Sequence, residues 1–289
     1  MTGQIIKLNS GVYTVRFSDD SVLECKPRGK FRYKDENIKV GDFVEVENSS
    51  IAKVLPRKNT FIRPSISNID YCILVMSLKR PDVDFELLDR FLINITEEKV
   101  EVIIVFTKSD LLNEDELKTI KPIIEYYQKY YNCFYSSYDG LHEKDAFLSL
   151  VENKLCVVSG QTGAGKSHLI NTLDSSLNLF TQDISDSLNR GKHTTRHTEI
   201  LKVLNAYIAD TPGFSALDIT HIKSTDLKEY YPEFVDRLNM CKFNQCMHIN
   251  EPDCIVKKDT ENGQILRIRY NSYLKFFNEL KEIEKNKWR

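Results

Sequence analysis

From residue 1 to about 60 the chain runs in short alternating segments, GQIIKL, GVYTVRF, SVLECKP, KVGDFVEVE and IAKVLPR, with no helical period. In VGDFVEVE the apolar residues Val40, Phe43, Val44 and Val46 surround a Gly-Asp turn, the pattern of a strand entered from a tight turn. Five such strands predict a small all-β barrel, OB-like first and SH3-like as the alternative. Near Asn59 the pattern changes to continuous apolar runs: YCILVMSL from Tyr71, VEVIIVFTKSD from Val100 and KLCVVSG from Lys154. Helical patterns over 84–96 and 114–131 separate them, so these runs read as buried parallel strands covered on both faces. The expected α/β domain spans 62–225. After Pro212 come a short aromatic stretch, a Cys/His cluster and a closing helix with Ile268, Tyr273, Phe276, Phe277, Leu280 and Ile283 at helical spacing. Three units follow: a barrel over 1–61, an α/β domain over 62–225 and a small helical domain over 226–289.

Composition changes this picture little. With 289 residues, 41% hydrophobic and 28% charged, the chain falls among ordinary globular proteins. Apolar runs all fall short of the roughly 20 residues of a membrane span, and MTGQIIKLNSG has no secretory h-region, so a cytoplasmic protein without membrane attachment is expected. The net charge is −2, but KPRGKFRYK sets Lys26, Arg28, Lys30, Arg32 and Lys34 at every second position, and the segment after Ile265 also carries excess basic charge. Both stretches suit docking on a polyanion, and both also suit plain solvated faces.

Of the seven cysteines, Cys25, Cys72, Cys133 and Cys156 are scattered, whereas Cys241, Cys246 and Cys254 crowd around His248. The spacing Cys241-x4-Cys246-x-His248-x5-Cys254 offers three thiolates and an imidazole, the donor set of tetrahedral zinc. With all four positions filled by protein, such an ion would be structural. His221 lies well upstream of the cluster.

The chemistry concentrates in CVVSGQTGAGKSHLINTL, where Gly160, Gly165, Lys166 and Ser167 match G-x-x-x-x-G-K-S between an apolar strand and a helical pattern. The loop Gly160, Gln161, Thr162, Gly163, Ala164, Gly165 and the helix start at Lys166, Ser167 and His168 are the expected phosphate cradle. Lys166 is expected at the β and γ phosphates and Ser167 at magnesium. Downstream, Asp210 in ADTPG ends an apolar segment, where it can hold magnesium through water while the Gly213 amide meets the γ phosphate. VIIVFTKSD ends in Thr107, Lys108, Ser109 and Asp110. The Asp110 carboxylate can accept from guanine N1–H and its amino group, and the Lys108 stem can cover the ring. Ser136 and Ser137 in YSSYDGL are further candidates for base contact.

These motifs look like those of translational-type GTPases, but the guanine motif precedes the P-loop, and the P-loop precedes the magnesium motifs. That order resembles the circularly permuted GTPases. With the amino-terminal barrel and the Cys/His cluster, the whole chain is similar to the RsgA (YjeQ/YloQ) family of small-ribosomal-subunit-dependent GTPases. One departure is Thr107, where the family motif has asparagine: a hydroxyl reaches less far and has fewer donors than an amide.

SLNRGKHTTRHTEI, between the P-loop and Asp210, reads as a switch segment, with Thr194 or Thr195 completing the magnesium shell and Thr195 preferred. Phe214 follows DTPG and has no group to orient water. His193 can do so near neutral pH, and the resemblance implies a catalytic histidine at this HTT position; His197 is the weaker competitor. The resemblance further implies a monomeric enzyme, GTP and GDP as ligands, and the small ribosomal subunit with its rRNA as partner, contacted by barrel and carboxyl-terminal domain. It also implies a role in subunit maturation and release after hydrolysis. Two rivals remain at this point. A P-loop ATPase or small-molecule kinase predicts adenine binding and leaves Asp110 without a role. A zinc-dependent RNA-binding module with a purely structural nucleotide site predicts equal RNA affinity with GDP and a GTP analogue.

Overall fold

The computed structural model describes residues 1–28, 38–61, 65–174, 199–210 and 217–287. Five strands open the chain: β1 Thr2–Asn9, β2 Val12–Arg16, β3 Val22–Pro27, β4 Phe43–Glu47 and β5 Ser50–Val54. They pair in the order β1-β2-β3-β5-β4, and β4 returns to β1 with Gly3 opposite Val44, closing an OB-like barrel. Ile5, Val15, Val44, Val46 and Ile51 fill its interior. The turn into β4 depends on Gly41, whose φ of +89° is left-handed and whose missing Cβ would lie 2.1 Å from Ser67 O. Next to it, buried Asp42 takes two ion-pair contacts from Arg57, at 2.6 and 2.8 Å, and a hydrogen bond from Ser67 Oγ at 2.6 Å, tying the barrel to the chain that leaves it. A two-stranded piece follows, β6 Thr60–Phe61 with β7 Ile66–Ser67.

The long apolar runs become β8 Tyr71–Ser77, β9 Glu101–Thr107 and β12 Leu155–Gly160, joined by β10 Asn132–Ser137 and β14 Ala206–Asp210. These five lie parallel in the order β10-β9-β8-β12-β14, with β11 Gly140–Leu141 and β13 Glu199–Val203 added antiparallel at the two sides. Alternate residues of each strand enter opposite cores. Leu74, Met76, Ile104 and Phe106 meet α1 Phe85–Glu97 and α2 Glu114–Tyr127, whereas Ile73, Val75, Ile103 and Val105 meet α3 Lys144–Val151 and α4 Lys166–Leu173. Asp84 caps α1 by accepting from Leu87 N, and Asn113 with Glu116 forms a capping box on α2. The second helical stretch, expected to reach residue 131, ends at Tyr127 and continues as turns.

The barrel and the α/β sheet are continuous. Lys7 of β1 pairs with Glu199 of β13 in register and through a 2.9 Å ion pair, while Arg16 stacks on the Tyr207 ring at 3.5 Å. At the other end, α5 Pro232–Val235, α6 Ile255–Glu261 and α7 Arg267–Lys287 form a helical unit packed on α1. Tyr273, Phe276, Phe277 and Leu280 are buried as the helical spacing predicts. Ile268 is not: it is exposed, and its neighbour Arg269 turns inward instead, 2% exposed, onto Asp89 of α1 and Glu233 of α5. No helix of the described residues is long and apolar enough to cross a membrane.

Candidate nucleotide site and metal cluster

The parallel strands deliver their carboxyl ends to one edge of the sheet, the position at which open α/β sheets bind ligands. The P-loop leaves β12 there. Gly160 has φ +133°, and a Cβ on it would fall 2.0 Å from Val75 O of the adjacent strand, so only glycine fits. Gly163 and Gly165 also take left-handed φ, at +76° and +85°, which lets the backbone curl ahead of α4. The Lys166 ammonium lies across this curl, 3.0 Å from Gly160 O and 2.9 Å from Gln161 O. Ser167 is buried in the first turn of α4, and Ala164 is buried beneath the loop, while Thr162 and Gly163 face solvent. An anion seated here meets a helix amino terminus, converging amides and one ammonium.

The TKSD loop closes directly on the P-loop. Thr107 at the end of β9 donates its hydroxyl to Ala164 O at 2.5 Å. The Lys108 ammonium reaches Gly163 O at 2.8 Å and also Arg80 O, and burial pushes its pKa down. The threonine hydroxyl thus makes the tie between loops despite its short reach. Ser109 donates to Ser136 O at 3.2 Å, and Asp110, exposed, accepts from Tyr138 N at 3.1 Å. Ser136 is buried with its hydroxyl on Gly140 O at 3.2 Å, so any contact it offers a base comes from its backbone; Ser137 is half-buried. The spacing of the motif gave His168 a role only through its amide, but its side chain also takes part: Nε2 lies 3.0 Å from Tyr138 O, and the ring stacks on that of Tyr138 with centroids 5.5 Å apart. Loops from β9, β10 and β12 therefore form one bonded rim. Asp210 ends β14 in line with this edge. His193, Thr194, Thr195, His197, Gly213 and Phe214 lie outside the described residues.

The carboxyl-terminal cluster also assembles as the spacing predicts. The ligand atoms of Cys241, Cys246, His248 and Cys254 all lie within 4.8 Å of one another. Cys241 Sγ is 4.0 Å from Cys254 Sγ, and His248 Nδ1 is 3.6 and 3.4 Å from those two sulfurs. Tetrahedral zinc bonds imply S–S and S–N edges of about 3.8 and 3.6 Å, so the residues fit such an ion. Burial lowers the His248 pKa to about 4, keeping the imidazole neutral and able to ligate. The loop is held from α7, with Tyr270 and Tyr273 hydroxyls donating to His248 O and Met247 O, each at 2.7 Å. His221, outside the cluster, pairs with Glu97 of α1.

The basic stretches fare differently. Lys26 at the end of β3 is exposed, Arg28 is paired with Glu47 at 2.6 Å, and Lys30, Arg32 and Lys34 lie outside the described residues. In α7 the expected surface charge is partly internal: Arg269 is buried, Lys275 pairs with Glu86 and Lys281 with Glu284. The sequence pattern assigned Arg269 to solvent because a helix face shows charge but not the buried carboxylates, Asp89 and Glu233, on neighbouring elements.

A P-loop preceded along the chain by a TKSD loop, between an OB-like barrel and a Cys/His helical unit, defines the class of circularly permuted GTPases. Family comparison narrows this. The RsgA GTPase family model matches residues 54–220 and the RsgA N-terminal domain model residues 2–53, and the chain belongs to the RsgA GTPase family. "Small ribosomal subunit biogenesis GTPase RsgA 2" of Oceanobacillus iheyensis is 46% identical, over 96% of this chain and 97% of the relative. The protein named "Small ribosomal subunit biogenesis GTPase RsgA" in Latilactobacillus sakei is 41% identical, over 98% and 97%. Among solved structures, YjeQ from Thermotoga maritima superposes with a TM-score of 0.84 at 33% identity, covering 96% of this chain and 98% of that one. YloQ, described as a circularly permuted GTPase, superposes with 0.83 at 33%, covering 97% and 95%.

Proposed function

We propose that the chain is a GTP-driven switch that binds the small ribosomal subunit late in its maturation and leaves after hydrolysing GTP. The observation that carries this reading is the seam between TKSD loop and P-loop, Thr107 to Ala164 and Lys108 to Gly163, flanked by a barrel and a metal-cluster unit. Amides from Gly163 to His168 and of Gly213 hold the phosphates, and Asp110 reads the guanine edge. Lys166 turns from the Gly160 and Gln161 carbonyls to the β and γ phosphates and balances the charge that develops on transfer. His193 accepts from and orients the attacking water, the task Phe214 lacks a group to perform. Ser167, Asp210 and Thr195 would hold magnesium, which supplies charge neutralisation at the phosphates when bound. Cys241, Cys246, His248 and Cys254 would hold one structural zinc, which supplies folding energy to the carboxyl-terminal unit.

Lys26, Arg28, Lys30, Arg32 and Lys34, beside the β3–β4 connection, meet rRNA by backbone and shape, with the carboxyl-terminal unit as second contact. In this reading the protein works as a cytoplasmic monomer built of units 1–61, 62–225 and 226–289. A switch must bind its partner differently in its two states. Sedimentation with purified small subunits should retain the protein with a non-hydrolysable GTP analogue and release it with GDP; equal retention would contradict the switch. His193→Ala should keep GTP binding and lose turnover.

A further inference from the structure

Among the described residues, the side chains of the TKSD rim have their donor hydrogens engaged within the protein. Thr107 has a single hydroxyl hydrogen, directed to Ala164 O at 2.5 Å, and the residue is 5% exposed. The Ser109 and Ser136 hydroxyls donate to Ser136 O and Gly140 O. The Lys108 ammonium bridges Arg80 O and Gly163 O on the P-loop side of the seam. Asp110, by contrast, is exposed and accepts from Tyr138 N on Oδ1, which leaves Oδ2 as an acceptor for a ligand. An ionised carboxylate only accepts, and on guanine the adjacent donors are N1–H and the 2-amino group. With Asp110 on that edge, the imidazole edge and its N7 acceptor fall toward the start of the same short loop, where Thr107 closes the seam.

We infer that this protein reads guanine through its N1 and amino edge alone and makes no hydrogen bond to N7, because the one hydrogen of Thr107 is committed to the P-loop. The inference rests on the GTPase reading and adds a specificity-determining role for Thr107. A hydroxyl cannot hold the seam and donate to the base at once. An asparagine amide, with two hydrogens, can do both.

The test is calorimetric titration of the full-length, metal-loaded protein with GDP, 7-deaza-GDP, which carries C–H in place of N7, and IDP, which lacks the 2-amino group. The wild-type protein should bind 7-deaza-GDP within about twofold of GDP and IDP at least about tenfold more weakly. The first analogue alters an edge the protein leaves untouched, whereas the second removes a donor to a charged acceptor. Thr107→Asn should acquire a preference of about fivefold for GDP over 7-deaza-GDP. A wild-type penalty of about fivefold or more on 7-deaza-GDP overturns the inference without touching the GTPase reading. Equal discrimination in wild type and Thr107→Asn removes Thr107 as the cause. Failure to bind GDP at all sinks both.

Discussion

Arg269→Ala removes the cation from the most buried ionic group among the described residues. The guanidinium donates to both oxygens of Glu233, at 2.7 and 3.0 Å, and to Asp89, and both carboxylates have 0% relative exposure. Its face also lies 4.5 Å from the centroid of Tyr231 and 5.3 Å from that of Tyr127. Breaking a buried pair from one side costs about 3 to 5 kcal/mol, since it strands uncompensated charge. Removing the attraction between the cation and these rings adds up to about 2 kcal/mol. Against a typical stability of about 5 to 15 kcal/mol, the carboxyl-terminal unit should undock from α1. Burial already pushes the Asp89 pKa up, with Arg269 pulling against it. Without Arg269 the folded-state value rises further above the unfolded one, so the cost is largest at neutral and higher pH and is relieved as pH falls and the carboxyl protonates. Urea titrations followed by circular dichroism should therefore show a large loss of stability at pH 8, a smaller one at pH 5.5, and substantial recovery in Arg269→Ala with Asp89→Asn and Glu233→Gln. A loss under about 1 kcal/mol, or one that neutralising the carboxylates leaves unchanged, would refute the stranded-charge reasoning.

Gly160→Ala should abolish nucleotide binding in filter assays, because its Cβ would lie 2.0 Å from Val75 O; near-normal GDP affinity would show that the strand end can shift at little cost. The isolated protein should contain one zinc per chain by elemental analysis, and a strong chelator or Cys254→Ser should expose residues 226–289 to proteolysis while 62–174 stay protected. Since burial pushes the Cys246 thiol up to about 12 and also raises Cys254, ion uptake must displace protons, and apparent zinc affinity should rise with pH; a flat profile would count against thiolate ligation.

The parts legible in the sequence are those whose chemistry fixes a spacing. The P-loop glycines, Lys166 and Ser167 occupy adjacent positions because one anion must meet them all, and the Cys/His cluster is compact because one ion must touch four side chains. Alternation likewise revealed the barrel strands, although the return of β4 to β1 depends on pairing between distant segments and left no local mark. Thr107 was legible as a departure, yet its hydrogen bond to Ala164, 57 residues along the chain, was not. Nor was the inward turn of Arg269 in place of Ile268: its partners Asp89 and Glu233 sit 180 and 36 residues away, and pattern reading along a single helix ranks an isoleucine inside and an arginine outside.

The ribosomal switch stands or falls on GTP turnover by the metal-loaded protein, measured with and without purified small ribosomal subunits and with Lys166→Ala in parallel. Turnover should be slow in the protein alone, strongly stimulated by the subunit, and lower by about a hundredfold or more in the variant under both conditions. Turnover indifferent to the subunit would contradict the ribosomal switch, and stimulated turnover that survives in Lys166→Ala would contradict the assignment of catalysis to this P-loop.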